Sequence, residues 1–145
     1  MNNLLIVIPS RLGSKRLKNK PLIKIRNKTL IENVYQNIKA IKNYKIIIAT
    51  DSKKISEICK KKKIPFCITK KHKTGSDRVA EVASKEKYRW ILNLQGDEPL
   101  ISISDVSNLI KKTLQLEKKN KNFVASTLFF KKKFKKNVKS EVKLI

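Results

Sequence analysis

Residues able to do chemistry gather in three short stretches of this 145-residue chain. The first runs from Ile8 to Leu22 and holds Arg11, Gly13, Ser14, Lys15, Arg16, Lys18 and Lys20 before Pro21 closes it. Small residues let backbone N–H groups turn toward phosphate oxygens while cationic side chains close over them, so such a loop suits a nucleoside triphosphate. The second, His72 to Arg78, offers Thr74 or Ser76 as a helix cap, free N–H groups at the helix start, and Arg78 one turn in. The third, Gln95-Gly96-Asp97-Glu98-Pro99, carries two carboxylates. Asp97 suits Mg²⁺, which is commonly held by one or two carboxylates together with substrate phosphates and water. Nucleotidyl transfer needs positioned cations more than a protein nucleophile, so this set could support it. Each stretch taken alone also has a plainer reading, as a solvated turn, an ordinary cap or a structural bend. His72 has no Cys or His at ligand spacing and reads as a surface or capping histidine.

The elements that would position these stretches follow from hydrophobic spacing. Leu4 to Ile8 is continuously apolar and predicts a central strand covered on both faces. After Pro21, a short extended piece over Leu22 to Ile25 leads to Thr29 and Glu32, at capping-box spacing. The helix they start buries Leu30, Ile31, Val34, Ile38 and Ile41. Tyr44 to Ala49 predicts a second strand, and Thr50-Asp51-Ser52 caps a helix with Ile55, Ile58 and Cys59 inward. Lys60 to Lys63 ends that helix, where cations favour the negative end of the dipole. A third strand, Pro65 to Thr69, precedes a helix with Val79, Ala80, Val82 and Ala83 inward. Trp90 to Leu94 is a fourth strand, Ser104 caps a helix carrying Val106, Leu109, Ile110 and Leu114, and Phe123 to Phe130 is a last apolar strand. Strands alternating with helices predict an α/β fold with a mainly parallel sheet, whose carboxyl edge would gather all three stretches. One nucleotide-binding α/β domain over 1–130 and a basic tail over 131–145 are expected.

The net charge of +25 points toward polyanions, yet 31 of the 36 basic residues are Lys. With abundant Asn and Ile, that excess fits an A+T-rich coding sequence spread over solvated faces. A basic nucleic-acid-binding module is the alternative from another class, resting on the lysines of 118–136 with Phe123, Phe129, Phe130 and Phe134 among them. It is disfavoured: stacking needs exposed rings, Phe123 and Phe129 fall in a predicted core strand, and no nucleic-acid motif is present. Cys59 and Cys67 read as small apolar residues in a reducing compartment, and no apolar run approaches a signal-peptide core or a membrane span. A cytoplasmic protein is expected.

In order and spacing, the three stretches resemble the 3-deoxy-manno-octulosonate (Kdo) cytidylyltransferases. Ile8 to Leu22 is similar to that family's opening pattern IPARxxSTRLPGKPL, with Arg11, Ser14, Arg16, Lys20, Pro21 and Leu22 in register. Ala49-Thr50-Asp51 resembles its ATD, His72 to Arg78 its HxSGT followed by an acidic residue and Arg, and Asn93 to Leu100 its NxQGDEPL. The resemblance implies a three-layer α/β/α fold of the nucleotide-diphosphosugar-transferase kind, incomplete at its C-terminus, using Mg²⁺ and usually dimeric. It implies transfer of a cytidylyl group from CTP to Kdo for lipopolysaccharide synthesis, with pyrophosphate released. By position, Arg11, Ser14 and Lys20 would cradle the triphosphate, Lys20 stabilising charge on the α-phosphate or the departing pyrophosphate. Gly75, Ser76, Arg78 and Gln95 would contact the nucleotide, and Asp97 would hold Mg²⁺; Arg11, Lys20 and Asp97 are thus the implied catalytic set. Two departures stand out. Lys18-Asn19 replaces the family's Pro-Gly, a change Asn accommodates because it accepts left-handed backbone geometry. Gly13-Ser14-Lys15-Arg16 leans toward the N-acylneuraminate cytidylyltransferases, the alternative acidic-sugar reading. Family members continue well past residue 145 into the sugar pocket and dimer surface, so the chain reads as a fragment or truncated gene product with weak CTP binding and poor turnover.

Overall fold

A computed structural model of the chain describes residues 4–13 and 17–119. Ser14, Lys15 and Arg16 of the basic loop, the expected strand at 123–130 and the tail at 131–145 therefore lie outside the described residues. Two compact units divide the chain, one up to Ile103 and one from Ser104.

In the first unit the apolar run becomes β1 (Leu4–Ser10), buried along most of its length. A single 3-10 turn, Lys20–Leu22, follows the basic loop, and Asn19 before it is left-handed at φ 55°. The backbone geometry that Asn was expected to tolerate is thus the one it adopts. Of the piece expected to be extended after Pro21, Leu22 closes that turn, while Ile23 is extended and Lys24–Ile25 forms β2, which pairs with β3 (Lys28–Thr29) in a small hairpin. Arg26 and Asn27 both have positive φ, as a two-residue hairpin turn requires.

Thr29 then caps α1 (Leu30–Ile38) through the predicted capping box. Thr29 N–H and Oγ1 each donate to Glu32 Oε2 at 2.7 Å, and Thr29 Oγ1 accepts from Glu32 N–H at 3.4 Å. Burial works to raise the Glu32 carboxyl pKa, but these Thr29 hydrogen bonds and Lys62, 3.1 Å away, hold it below the ordinary range. Next come β4 (Lys45–Thr50), α2 (Lys53–Lys61) capped by Ser52, β5 (Phe66–Ile68), α3 (Gly75–Lys85) and β6 (Trp90–Asn93).

These strands form a four-stranded, all-parallel sheet in the order β5-β4-β1-β6. The chain moves outward from β1 to β4 to β5 and then returns across β1 to β6. Right-handed crossovers therefore put α1 and α2 on one face and α3 on the other, giving three layers. On the α3 face, Leu5, Val7, Ile47 and Ala49 pack with Val79 and Val82. Ile6, Ile8 and Ile48 alternate to the opposite face, and Ile31, Val34, Ile38 and Ile55 from α1 and α2 are likewise buried. Each such side chain contributes about 1.5–3 kcal/mol relative to leaving it in water. Burial pushes the Cys59 thiol up to about 11, consistent with a packing residue.

One sequence expectation for α3 needs correction. Ala80 is exposed, and the position turned inward is Arg78, 1% exposed. α4 (Ile103–Lys119), all but its first residue in the second unit, begins two residues earlier than a cap at Ser104 would place it, and its buried positions are Val106, Ile110 and Thr113. Among the described residues no helix is long and apolar enough to cross a membrane.

Candidate functional site

The strand order sets the site. It runs from β1 out through β4 to β5 and then reverses to β6 on the other side of β1, and open parallel sheets bind ligands at such a reversal, beyond the strand carboxyl ends. A cavity of about 710 Å³ lies there. From the β1 side come Pro9, Ser10, Arg11, Leu17, Lys20 and Pro21, and from the β6 side Gln95, Gly96 and Asp97. Gly75 and Arg78 at the start of α3, with Leu30 of α1, complete the wall.

The approach of the two loops is fixed by backbone. Leu94 N–H donates to Val7 C=O at 3.0 Å, extending the β1–β6 ladder by one step. A Cβ at Gly96 would lie 2.7 Å from Pro9 C=O oxygen, so a side chain there would push the loops apart. Asn37 of α1 anchors the far side of the β6 loop, its Nδ2 donating to Pro99 O at 3.2 Å and Ile101 O at 2.9 Å. Across the cavity, Lys20 Nζ donates to Asp97 Oδ2 at 2.5 Å, and both side chains are partly open to solvent. Arg11 Nη1 donates to Lys73 O at 3.0 Å, which ties the basic loop to the segment before α3.

Arg78 sits differently. Its Nη1 donates to Thr69 Oγ1 and, at 3.4 Å, to Lys70 O, while Nη2 lies 3.1 Å from Asp51 Oδ2 as an ion pair off hydrogen-bond alignment. The guanidinium thus joins the ends of β4 and β5 to α3. Asp51 belongs to the Ala49-Thr50-Asp51 stretch, so two motifs far apart in sequence meet in this contact.

Thr74 is the cap of α3, and Asp77 closes a second capping box: Thr74 Oγ1 donates to Asp77 Oδ2 at 2.6 Å and accepts from Asp77 N–H at 3.1 Å. The hydrogen bond from Thr74 holds the Asp77 carboxyl below its ordinary pKa. The helix start therefore already carries one negative group. Behind it, Glu81 accepts from Lys85 Nζ at 2.5 Å and from Lys70 N–H at 2.9 Å, and lies 2.6 Å from His72 Nε2. Lys85 first, then His72, bring its carboxyl down to about 2. His72 thus helps to fasten the loop between β5 and α3.

Of the sequence-derived site residues, Arg11, Lys20, Gly75, Arg78, Gln95 and Asp97 meet around one cavity. Ser76 is exposed in the first turn of α3, outside that lining, and Ser14 lies outside the described residues. Ser10, Leu17, Pro21 and Leu30 are wall residues that motif chemistry passed over, since only strand alternation and the position after Pro9 would have pointed to them.

Comparison with known proteins agrees with this fold. The profile of the cytidylyltransferase family matches residues 5–143. The chain is similar to the 3-deoxy-manno-octulosonate cytidylyltransferase of Francisella tularensis subsp. holarctica, 43% identical over 110 residues that cover 73% of this chain and 44% of that protein. The enzyme of the same name from Polynucleobacter asymbioticus is 41% identical over 114 residues, 76% of this chain and 44% of that one. The chain thus spans less than half the length of these relatives. A solved CMP:2-keto-3-deoxy-manno-octonic acid synthetase in complex with CTP superposes with a TM-score of 0.73 at 34% identity, covering 82% of this chain and 48% of that one. A cytidylyltransferase from Leptospira borgpetersenii, 22% identical, shares the fold with a TM-score of 0.70 over 79% of this chain and 50% of its own.

Proposed function

The chain belongs to the cytidylyltransferase family, and we propose that its cavity binds CTP for transfer of a cytidylyl group to Kdo. The observation that carries this reading is the meeting of Arg11, Lys20, Gln95 and Asp97 at the switch point between β1 and β6. The relatives named for Kdo favour that sugar over an N-acylneuraminate.

In the proposed reaction, the anomeric hydroxyl oxygen of Kdo bonds to the α-phosphorus of CTP. The bond from that phosphorus to the bridging oxygen breaks, pyrophosphate leaves, and the hydroxyl proton passes to solvent. Arg11 and Lys20 neutralise triphosphate charge, and Lys20 stabilises the negative charge that builds on the leaving group. Buried Arg78 holds the loops after β4 and β5 in place.

The residues present fit Mg²⁺ in one form. Among the described residues no three His, Cys, Asp or Glu side chains gather into a metal cage. Asp97 offers a single carboxylate facing the cavity, which suits a cation that keeps water and shares phosphate oxygens. Mg²⁺ held there would neutralise phosphate charge. Both cysteines are free thiols, which suits the reducing cytoplasm.

Pyrophosphate release from CTP with Kdo and Mg²⁺, and CTP binding by calorimetry, test the proposal. Saturable binding of CTP in preference to GTP is expected, with at most slow turnover by this chain. Equal affinity for all nucleotides, or none, contradicts it.

A further inference from the structure

Ser10 is the last residue of β1 and lines the cavity, yet it is only 4% exposed and its Oγ has no hydrogen-bond partner among the described residues. Buried hydroxyls are seldom left unpaired, because nothing then replaces the hydrogen bond to water. The neighbouring strand does not supply a partner: Thr50, opposite Ser10 in the β1–β4 register, accepts from Ser52 N–H at 3.1 Å.

The direction of the hydroxyl follows from strand alternation. Pro9 turns toward α3, its Cγ 3.4 Å from where a Cβ on Gly75 would stand. Ser10 therefore turns to the other face, where Pro21 and Leu30 close the cavity. Pro21 and Leu30 make the wall on that face apolar, while of the charged lining residues Arg11, Lys20 and Asp97 are the more solvent-exposed and Arg78 is buried at the start of α3. A base and ribose suit the apolar wall and a triphosphate suits the exposed charged residues. Ligand sites of this kind combine apolar walls with a few placed polar groups.

We propose that the Ser10 hydroxyl, unpartnered at the apolar wall of the cavity, hydrogen-bonds the nucleoside part of the bound nucleotide. The inference rests on the nucleotide reading above. The family's opening pattern has Ala where this chain has Ser10, so the contact adds to the shared motif.

The test is calorimetric titration of wild type and Ser10→Ala with CTP, CMP and inorganic tripolyphosphate, with thermal midpoints measured alongside. One lost hydrogen bond predicts CTP and CMP binding about 3- to 10-fold weaker, tripolyphosphate binding unchanged, and a thermal midpoint equal or higher. Unchanged CTP affinity in Ser10→Ala overturns the contact, and so does an equal loss with tripolyphosphate, which would place the hydroxyl on phosphate. If wild type binds tripolyphosphate but not CTP or CMP, or binds none of them, the nucleotide reading falls and the contact with it.

Discussion

Two ion pairs flank the cavity, and their surroundings give them different work. Arg78 is buried, is shared among Asp51, Thr69 and Lys70, and joins three elements. Lys20 and Asp97 face each other from the β1 and β6 loops with side chains 35% and 48% exposed. A buried charge cannot leave its partner cheaply, because the abandoned group stays desolvated. An exposed pair can exchange partners at little cost, since water and counter-ions replace what is lost. The first pair therefore sets the shape of the site. The second is available to a ligand: phosphate can take Lys20 while a cation takes Asp97.

Substitutions should separate the two roles. Arg78→Met would leave Asp51 and Thr69 without their cation, and a denaturation midpoint should report a loss of about 3 kcal/mol, at the low end for a broken buried pair because Asp51 is partly exposed. A loss below about 1 kcal/mol would remove Arg78 from its structural role. Gly96→Ala places a methyl 2.7 Å from the Pro9 carbonyl oxygen. It should cost about 1–3 kcal/mol, as overpacking does, and weaken CTP binding by widening the loop approach. Full stability with unchanged CTP affinity would show that the loops separate freely. Lys20→Met should move stability by under about 1 kcal/mol, as an exposed pair does. A shift as large as that of Arg78→Met would erase the distinction.

What was legible in the sequence was mostly local. The capping box at Thr29, the buried run of β1 and the left-handed Asn19 each depend on residues within one turn or strand, so spacing reveals them, while at α3 spacing left Thr74 and Ser76 as alternative caps. The β2–β3 hairpin escaped because Arg26-Asn27 lacks the glycine that usually marks such a turn. Ala80 was expected in the core and is exposed, because apolar spacing takes no account of a buried charge, Arg78, whose partners arrive from the ends of β4 and β5. Pairing Asp51 with Arg78 requires the sheet order, which neither motif carries alone. The cavity itself was predictable as a meeting of loops at one sheet edge, whereas its apolar wall, with Pro21, Leu30 and Ser10, depends on which strands are neighbours.

The most direct test of the account is CTP titration into wild type and Lys20→Met in the presence of Mg²⁺. The exchangeable pair predicts saturable binding by wild type and affinity about tenfold or more weaker in the variant, the loss of one charge-assisted contact to phosphate. Equal affinity in the two proteins would contradict it.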